Sequence, residues 1–342
     1  MATMHAYRLI GWGAPPEYRE VRVPEPGPGQ VLIKMAGAGL CGSDLHILHS
    51  PPGLWPKEPP FTLGHENSGT IARLGAGITH LADGDGVIVS GVGFCGTCDR
   101  CIGGMQNECR NMVMAGYGSG DDGGLAEYML ADVRHVVRLG SLDPLTAAPL
   151  SDAGATSYHA VKRQQSRLGP GSTAAVIGAG GLGSYAVQYL RLLTSAWVVA
   201  ADTVPNRLAN ALRLGAHKTV LADGNTGEAL RAAAGGTIDV VFDFVGSTDS
   251  LTAAVSVIGC GGRVVIAGIG GGEVGVGWLT VPMNAHVINT MGFTPVDLME
   301  VIELVASGAV EVAATHFAFD RIADGIAAVG EASVEGRAVV VL

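Results

Sequence analysis

The sequence is short of charge. Only 15% of its residues are Asp, Glu, Lys or Arg, against about 25% in an ordinary soluble domain. With 48% hydrophobic residues, that shortage excludes intrinsic disorder, which needs low hydrophobicity and high charge. Positive charge is scarcer still. The 21 Lys and Arg face 31 Asp and Glu, for a net charge of −10, and no run of Lys and Arg exceeds two. Such a chain offers no electrostatic footprint for nucleic acid or an anionic membrane, so neither is an expected partner. Clean apolar runs are missing too. The long uncharged stretch 168–190 holds Pro170 and six glycines, and 274–296 holds Pro282, Asn284, His286 and Asn289. That load does not suit a spanning helix. The opening MATMHAYRLIGWG lacks a long apolar segment and a small-residue cleavage site. A secretory signal is therefore not expected, and the expected address is the cytoplasm.

Glycine is in excess: 52 of 342 residues, about twice the usual share of roughly 7%. It has no three-residue period, which points to tight turns and close backbone approaches rather than collagen. The length suits about two domains. Composition shifts near residue 150. Before it, short β-like runs such as 31–35 and 86–90 alternate with Pro- and Gly-rich turns, which reads as a β-rich, barrel-like unit. After it, apolar strands at 174–177, 197–201, 219–221, 239–244 and 263–267 alternate with helix candidates at 185–193 and 206–214. Continuous apolar strands between helices imply a parallel sheet covered on both faces. A helix at 298–307 and a strand at 338–342 resemble the first part again, so the middle domain is expected to be inserted into the first.

Four of the six cysteines, Cys95, Cys98, Cys101 and Cys109, have the spacing C-x2-C-x2-C-x7-C. In a reducing compartment this crowding indicates a metal site before disulfides. Four thiolates close a tetrahedral shell around zinc and leave no position for chemistry, so this site is expected to be structural. Iron–sulfur spacing matches only in part.

The segment Gly178-Ala-Gly180-Gly181-Leu182-Gly183 follows an apolar strand and precedes a helix. G-x-G-x-x-G in that context is a dinucleotide fingerprint: the glycines make the turn, admit a pyrophosphate and let helix and strand pack. The helix amino terminus then favours the phosphates. Asp202 closes the next strand, where a carboxylate can hold the adenosine ribose hydroxyls and repel a 2′-phosphate. NAD(H) is therefore expected over NADP(H). Arg207 can stack on the adenine side or face a phosphate.

Cys41-Gly-Ser43-Asp44-Leu-His46 and Gly64-His65-Glu66 each follow a β-like run. A cysteine and a histidine, each beside an acid, suggest a catalytic zinc site with three protein ligands and an open position. Spacing does not choose the third ligand among Asp152, Glu66, His159 and Cys260.

Together these motifs resemble the zinc-dependent medium-chain alcohol dehydrogenase family along essentially the whole chain. The stretch 149–159 is similar to the bacterial secondary-alcohol dehydrogenase branch. The resemblance implies an α/β fold: a GroES-like β-rich catalytic domain at 1–153 and 291–342, with an inserted Rossmann doubly wound NAD-binding domain at 154–290. It implies two zinc ions and NAD(H). Cys41, His65 and Asp152 would hold the catalytic zinc. Glu66 stands where relatives place an outer or transient fourth ligand. Asp44 would orient His65, Ser43 would touch the substrate oxygen, and His46 would end the proton relay. Thr156 and Arg337 resemble contacts to the nicotinamide region and the pyrophosphate. Val245, Gly268 and Ile269 resemble the backbone beneath the nicotinamide. Gly42 departs from the basic residue many relatives carry.

The expected substrate is a secondary, or also primary, alcohol or its carbonyl with apolar or aromatic groups, because Leu48, Leu54, Trp55, Tyr117, Met291 and Phe293 are apolar or amphipathic. A polyol or sugar dehydrogenase is the alternative and needs a more polar pocket. A zinc-free quinone reductase fits poorly with the retained cysteines, and a binding protein without turnover fits poorly with Ser43 and His46. Cys260 reads as a buried small hydrophobe. The β-rich stretch 264–290 suits a homodimer or homotetramer.

Overall fold

The computed structural model describes residues 2–55, 57–112 and 116–342. It divides into two units, one of residues 1–155 and 292–342, the other of residues 156–291.

The first unit is built mainly on antiparallel strands, with Ala314–Ala318 and Arg337–Val341 pairing in parallel. Among the described residues, a seven-stranded sheet runs in the order Ala314–Ala318, Arg337–Val341, Gln30–Leu40, Glu66–Leu74, Gly86–Val89 and Val136–Arg138, with Tyr128–Asp132 also pairing with Gln30–Leu40. A small sheet joins Glu17–Arg22, Thr3–Leu9 and Phe61–Thr62. Residues with alternating burial form its cores. Leu9, Leu40, Phe61 and Leu63 pack one, and Val31, Ile33, Val87 and Val89 the other. The long strand Gln30–Leu40 changes register at Met35/Gly37. Such irregularities bend a strand, and Cys41 follows directly on its end.

The second unit is a six-stranded parallel sheet. Its order is Lys218–Leu221, Trp197–Asp202, Thr173–Ile177, Ile238–Asp243, Ile258–Ile266 and His286–Asn289. Counted along the chain this is 3-2-1-4-5-6, the doubly wound order, and ligands bind where the order reverses, outside the carboxyl ends of the strands. Thr173–Ile177 is buried at every position, as a central strand covered on both faces requires. The expected β-rich unit with an inserted parallel-sheet domain is therefore observed.

Several elements were not anticipated: the helices Thr226–Ala234, Thr248–Val257 and Ile322–Gly330. The first is alanine-rich and the second is capped by reciprocal Ser247 and Ser250 contacts, neither of which leaves a strong apolar stripe in the sequence. Cys260 corrects an expectation. It is exposed, because it points outward from the glycine-rich start of Ile258–Ile266, where the pairing with Ile238–Asp243 shifts register. Among the described residues, no helix is long and apolar enough to cross a membrane.

Candidate active site

Strand register brings the first two candidate ligands together. Gly39 pairs with Glu66 in the antiparallel ladder. Cys41 leaves one strand just past that pair, and His65 enters the other just before it. Gly39 must lack a side chain, since a Cβ there would overlap the Glu66 carboxylate. A third candidate ligand, Asp152, follows directly on residues 144–151. Ser151 Oγ accepts the backbone N–H of Asn67 at 3.0 Å and donates to the Ala148 carbonyl at 3.0 Å. That clasp sets the next residue, Asp152, beside His65.

Cys41 Sγ lies 3.6 Å from Asp152 Oδ2, and His65 Nε2 lies 3.7 Å from the same oxygen. Donor atoms of Cys41, His65, Glu66 and Asp152 all fall within 4.8 Å of one another. Zinc–ligand bonds of about 2.0–2.3 Å give tetrahedral edges of roughly 3.3–3.8 Å, so the two short separations fit a common ion. His65 Nε2 is a buried nitrogen without a hydrogen-bond partner. A buried orphan nitrogen aimed at a thiol and a carboxylate is the donor set zinc takes.

The surroundings orient these donors. Asp44 Oδ1 lies 3.1 Å from His65 Nδ1, and Asp44 Oδ2 accepts the Cys41 backbone N–H at 2.8 Å. Binding Nδ1 leaves Nε2 to face the metal position. Burial works against a charged His65, but Asp44 and Asp152 outweigh it and hold its pKa well above the ordinary value. Burial also resists ionisation of Cys41, but Arg337 and His65 prevail and lower the thiol's pKa. Burial raises the Glu66 pKa well above its usual value, against the pull of Arg337.

Arg337 is placed in this cluster. It is buried at the start of strand Arg337–Val341 and forms an ion pair with Glu66, which is fully buried. Breaking such a pair from one side costs roughly 3–5 kcal/mol. Ser43 and His46 lie three residues apart on helix Gly42–Leu48, hence on one face. Ser43 is half-buried with Oγ 3.7 Å from Cys41 Sγ, and His46 is exposed. Of the other third-ligand candidates, His159 and Cys260 lie outside the cluster.

The four lobe cysteines also converge. Cys95 and Cys101 sulfurs are 3.9 Å apart, and Cys98 and Cys109 sulfurs 4.0 Å apart. Zinc–sulfur bonds of about 2.3 Å predict edges of roughly 3.8 Å. All four donors lie within 4.8 Å of one another. Hydrogen bonds from the Thr97 hydroxyl, the Thr97 and Cys98 backbone and Asn111 bring the Cys95 thiol down to about 5, whereas burial pushes Cys101 up to about 12.

In the second unit, Gly178 makes the turn after strand Thr173–Ile177, and helix Gly183–Leu193 follows. A Cβ on Gly183 would overlap the Gly178 carbonyl, so helix and strand meet backbone to backbone. Gly180, Gly181 and Leu182 are half-buried along this turn. Asp202 Oδ2 accepts the Ala179 N–H at 2.8 Å, and Oδ1 accepts the Val204 N–H at 2.9 Å. The Arg207 guanidinium lies 3.8 Å from Asp202 and alongside Gly180. Thr156 is buried at the start of this unit; Val245 and Ile269 are exposed beyond the strand ends, with Gly268 beside Val245.

The expected apolar set divides. Leu48 and Trp55 are half-buried against the first core, and Leu54 and Met291 are exposed. Phe293 is a core residue, and the Tyr117 hydroxyl is engaged by His135 and the Asp132 N–H.

Comparisons with known proteins agree along the chain. Residues 27–141 match the family model for an alcohol dehydrogenase GroES-like domain, and residues 181–307 match that for a zinc-binding dehydrogenase. An alcohol dehydrogenase of Rhizobium meliloti is 37% identical over 98% of this chain and 96% of its own length. The alcohol dehydrogenase structure from Aeropyrum pernix superposes with a TM-score of 0.92 at 33% identity, covering 99% of this chain and 100% of the other. The acetophenone reductase of Geotrichum candidum, solved in complex with NAD, gives a TM-score of 0.87 at 27% identity, covering 99% and 97%.

Proposed function

The chain belongs to the zinc-dependent medium-chain alcohol dehydrogenases, and from that premise we propose that it oxidises a secondary alcohol, or reduces the matching ketone, with apolar or aromatic substituents. NAD(H) is the hydride partner. The observation that carries this reading is the convergence of Cys41, His65, Glu66 and Asp152 with the Ser43 hydroxyl beside them.

Cys41, His65 and Asp152 would hold the catalytic zinc, with Glu66 as a further donor, and the four lobe cysteines the structural one. When bound, zinc supplies a Lewis acid for the substrate oxygen and NAD(H) accepts or returns the hydride. Ser43 Oγ would accept the proton leaving the substrate hydroxyl as its own hydroxyl proton passes on toward His46. His46, exposed on the same helix face, delivers it to solvent. Asp44 keeps the His65 ring in one orientation. The Arg337 pair keeps the Glu66 carboxylate compensated within the site.

The second unit acts as the NAD-binding domain inserted into the catalytic one. The glycine turn from Gly178 to Gly183 receives the pyrophosphate, Asp202 receives the adenosine ribose, and Arg207 lies toward the adenine side. Thr156, Val245, Gly268 and Ile269 serve the nicotinamide half. Leu48 and Trp55 favour apolar substituents, as does the acetophenone named for the Geotrichum relative. A homo-oligomer is supported by the edge position of His286–Asn289 in its sheet and by exposed Trp278, Leu279 and Met283 just before it. A cytoplasmic address accords with the free cysteines.

The test follows NADH absorbance with acetophenone, 2-butanone, an aldose and a polyol, before and after chelation. The reading requires ketone turnover that chelation abolishes and zinc restores. Turnover of the polyol alone, or turnover indifferent to chelation, would overturn it.

A further inference from the structure

Asp243 is a fully buried carboxylate that takes no part in the chemistry above. It closes strand Ile238–Asp243, the first strand past the point where the sheet order reverses. In a doubly wound sheet each half carries one mononucleotide across that crevice. The glycine turn and Asp202 occupy the adenosine half. By topology, the loops after Ile238–Asp243 and Ile258–Ile266 face the other half, that of the nicotinamide nucleotide.

The Asp243 carboxylate is the knot of those loops. Oδ1 accepts the backbone N–H groups of Val245 at 2.8 Å and Gly246 at 3.0 Å, and Oδ2 accepts the Ser250 hydroxyl at 2.8 Å. Its backbone carbonyl accepts the N–H groups of Ala267 and Gly268, both at 2.9 Å. Further along, Gly270 N–H donates to the Val245 carbonyl at 3.0 Å, and Gly272 N–H to the Gly246 carbonyl at 2.8 Å. The two loops lie so close that a Cβ on Gly246 would overlap the Gly268 carbonyl, and one on Gly268 would overlap the Val245 backbone. Val245 also rests against Gly178 of the phosphate turn. Yet Val245 is 39% exposed and Ile269 56% exposed. A rigid, hydrogen-bonded framework that presents apolar side chains outward at the ligand-binding edge is built to be covered.

We propose that Asp243 is the positioning residue of the nicotinamide half-site: its buried carboxylate holds the 244–247 loop, and through it the 267–272 loop, in the shape that receives the nicotinamide nucleotide. This rests on the reading that the second unit binds a dinucleotide. Asp243 does not touch the ligand; it acts through Val245, Gly246 and Gly268.

The test compares two ligands on the full-length protein: NADH, which uses both halves, and ADP, which uses only the adenosine half. Dissociation constants are measured for wild type, Asp243→Ala and Asp243→Asn. In Asp243→Ala, NADH binding weakens about tenfold or more while ADP binding stays within about twofold, since small displacements of a positioning element carry large penalties. Asp243→Asn stays near wild type for both, because its Oδ1 still accepts the two N–H groups and Ser250 can accept from its Nδ2. A variant that merely loosens the fold weakens NADH and ADP together, and that result, or no change in either, overturns the proposal. If Asp243→Ala does not fold, Ser250→Ala, which removes the Oδ2 donor together with the cap it forms with Ser247, must still show the same NADH-only loss. Wild-type protein that binds neither ligand overturns the dinucleotide reading and this inference with it, an outcome separate from the others.

Discussion

Asp44 grips His65 and Cys41 at once: one oxygen lies 3.1 Å from His65 Nδ1 and the other accepts the Cys41 backbone N–H at 2.8 Å. A single carboxylate therefore sets two of the three proposed zinc ligands. Removing such a partner typically costs 10–100-fold in metal affinity. Asp44→Ala should lose catalytic zinc about 10–100-fold more readily in a chelator competition, while lobe zinc is kept. Unchanged competition curves would show that His65 and Cys41 are oriented by something else.

Ser43 is the group proposed to move the substrate proton, its Oγ lying 3.7 Å from Cys41 Sγ. Acid–base help is worth about 100- to 10,000-fold, so Ser43→Ala should lower kcat at least about 100-fold with metal content unchanged. Steady-state kinetics on the best ketone and its alcohol check this. A loss under about threefold would send the proton by another route.

Cys98 belongs to a closed shell of four sulfurs and to no chemistry. Cys98→Ser should lower the melting temperature and the zinc content, with turnover falling only as folded protein is lost. Calorimetry and metal analysis read both. A variant as stable as wild type, with turnover lost, would make the lobe catalytic.

Asp202 ties down Ala179 and Val204 and is proposed to meet the adenosine ribose. Asp202→Gly should raise the NADP/NAD ratio of kcat/KM by relieving repulsion of a 2′-phosphate. An unaltered ratio would remove Asp202 from cofactor selection.

The sequence made the parallel sheet legible because fully buried strands such as Thr173–Ile177 read as unbroken apolar runs. The cysteine lobe was legible because its spacing is local. The third donor was not: spacing left Asp152, Glu66, His159 and Cys260 open. What joins Asp152 to His65 is the Ser151–Asn67 hydrogen bond between residues 84 apart, and what joins Glu66 to Arg337 is a pair 271 apart. Such distances leave no periodic trace. Phe293 and Tyr117 show the same limit from the other side. Their side chains suit a pocket, yet Phe293 is packed into the core and half-buried Tyr117 engages His135 with its hydroxyl.

The central claim is a zinc ion held by Cys41, His65 and Asp152. Anomalous diffraction at the zinc edge from crystals of the zinc-loaded protein tests it most directly. The account predicts a peak about 2.0–2.3 Å from Cys41 Sγ, His65 Nε2 and an Asp152 oxygen, and a separate peak among the four lobe sulfurs. A lobe peak alone, or a second peak bound by other side chains, would contradict it.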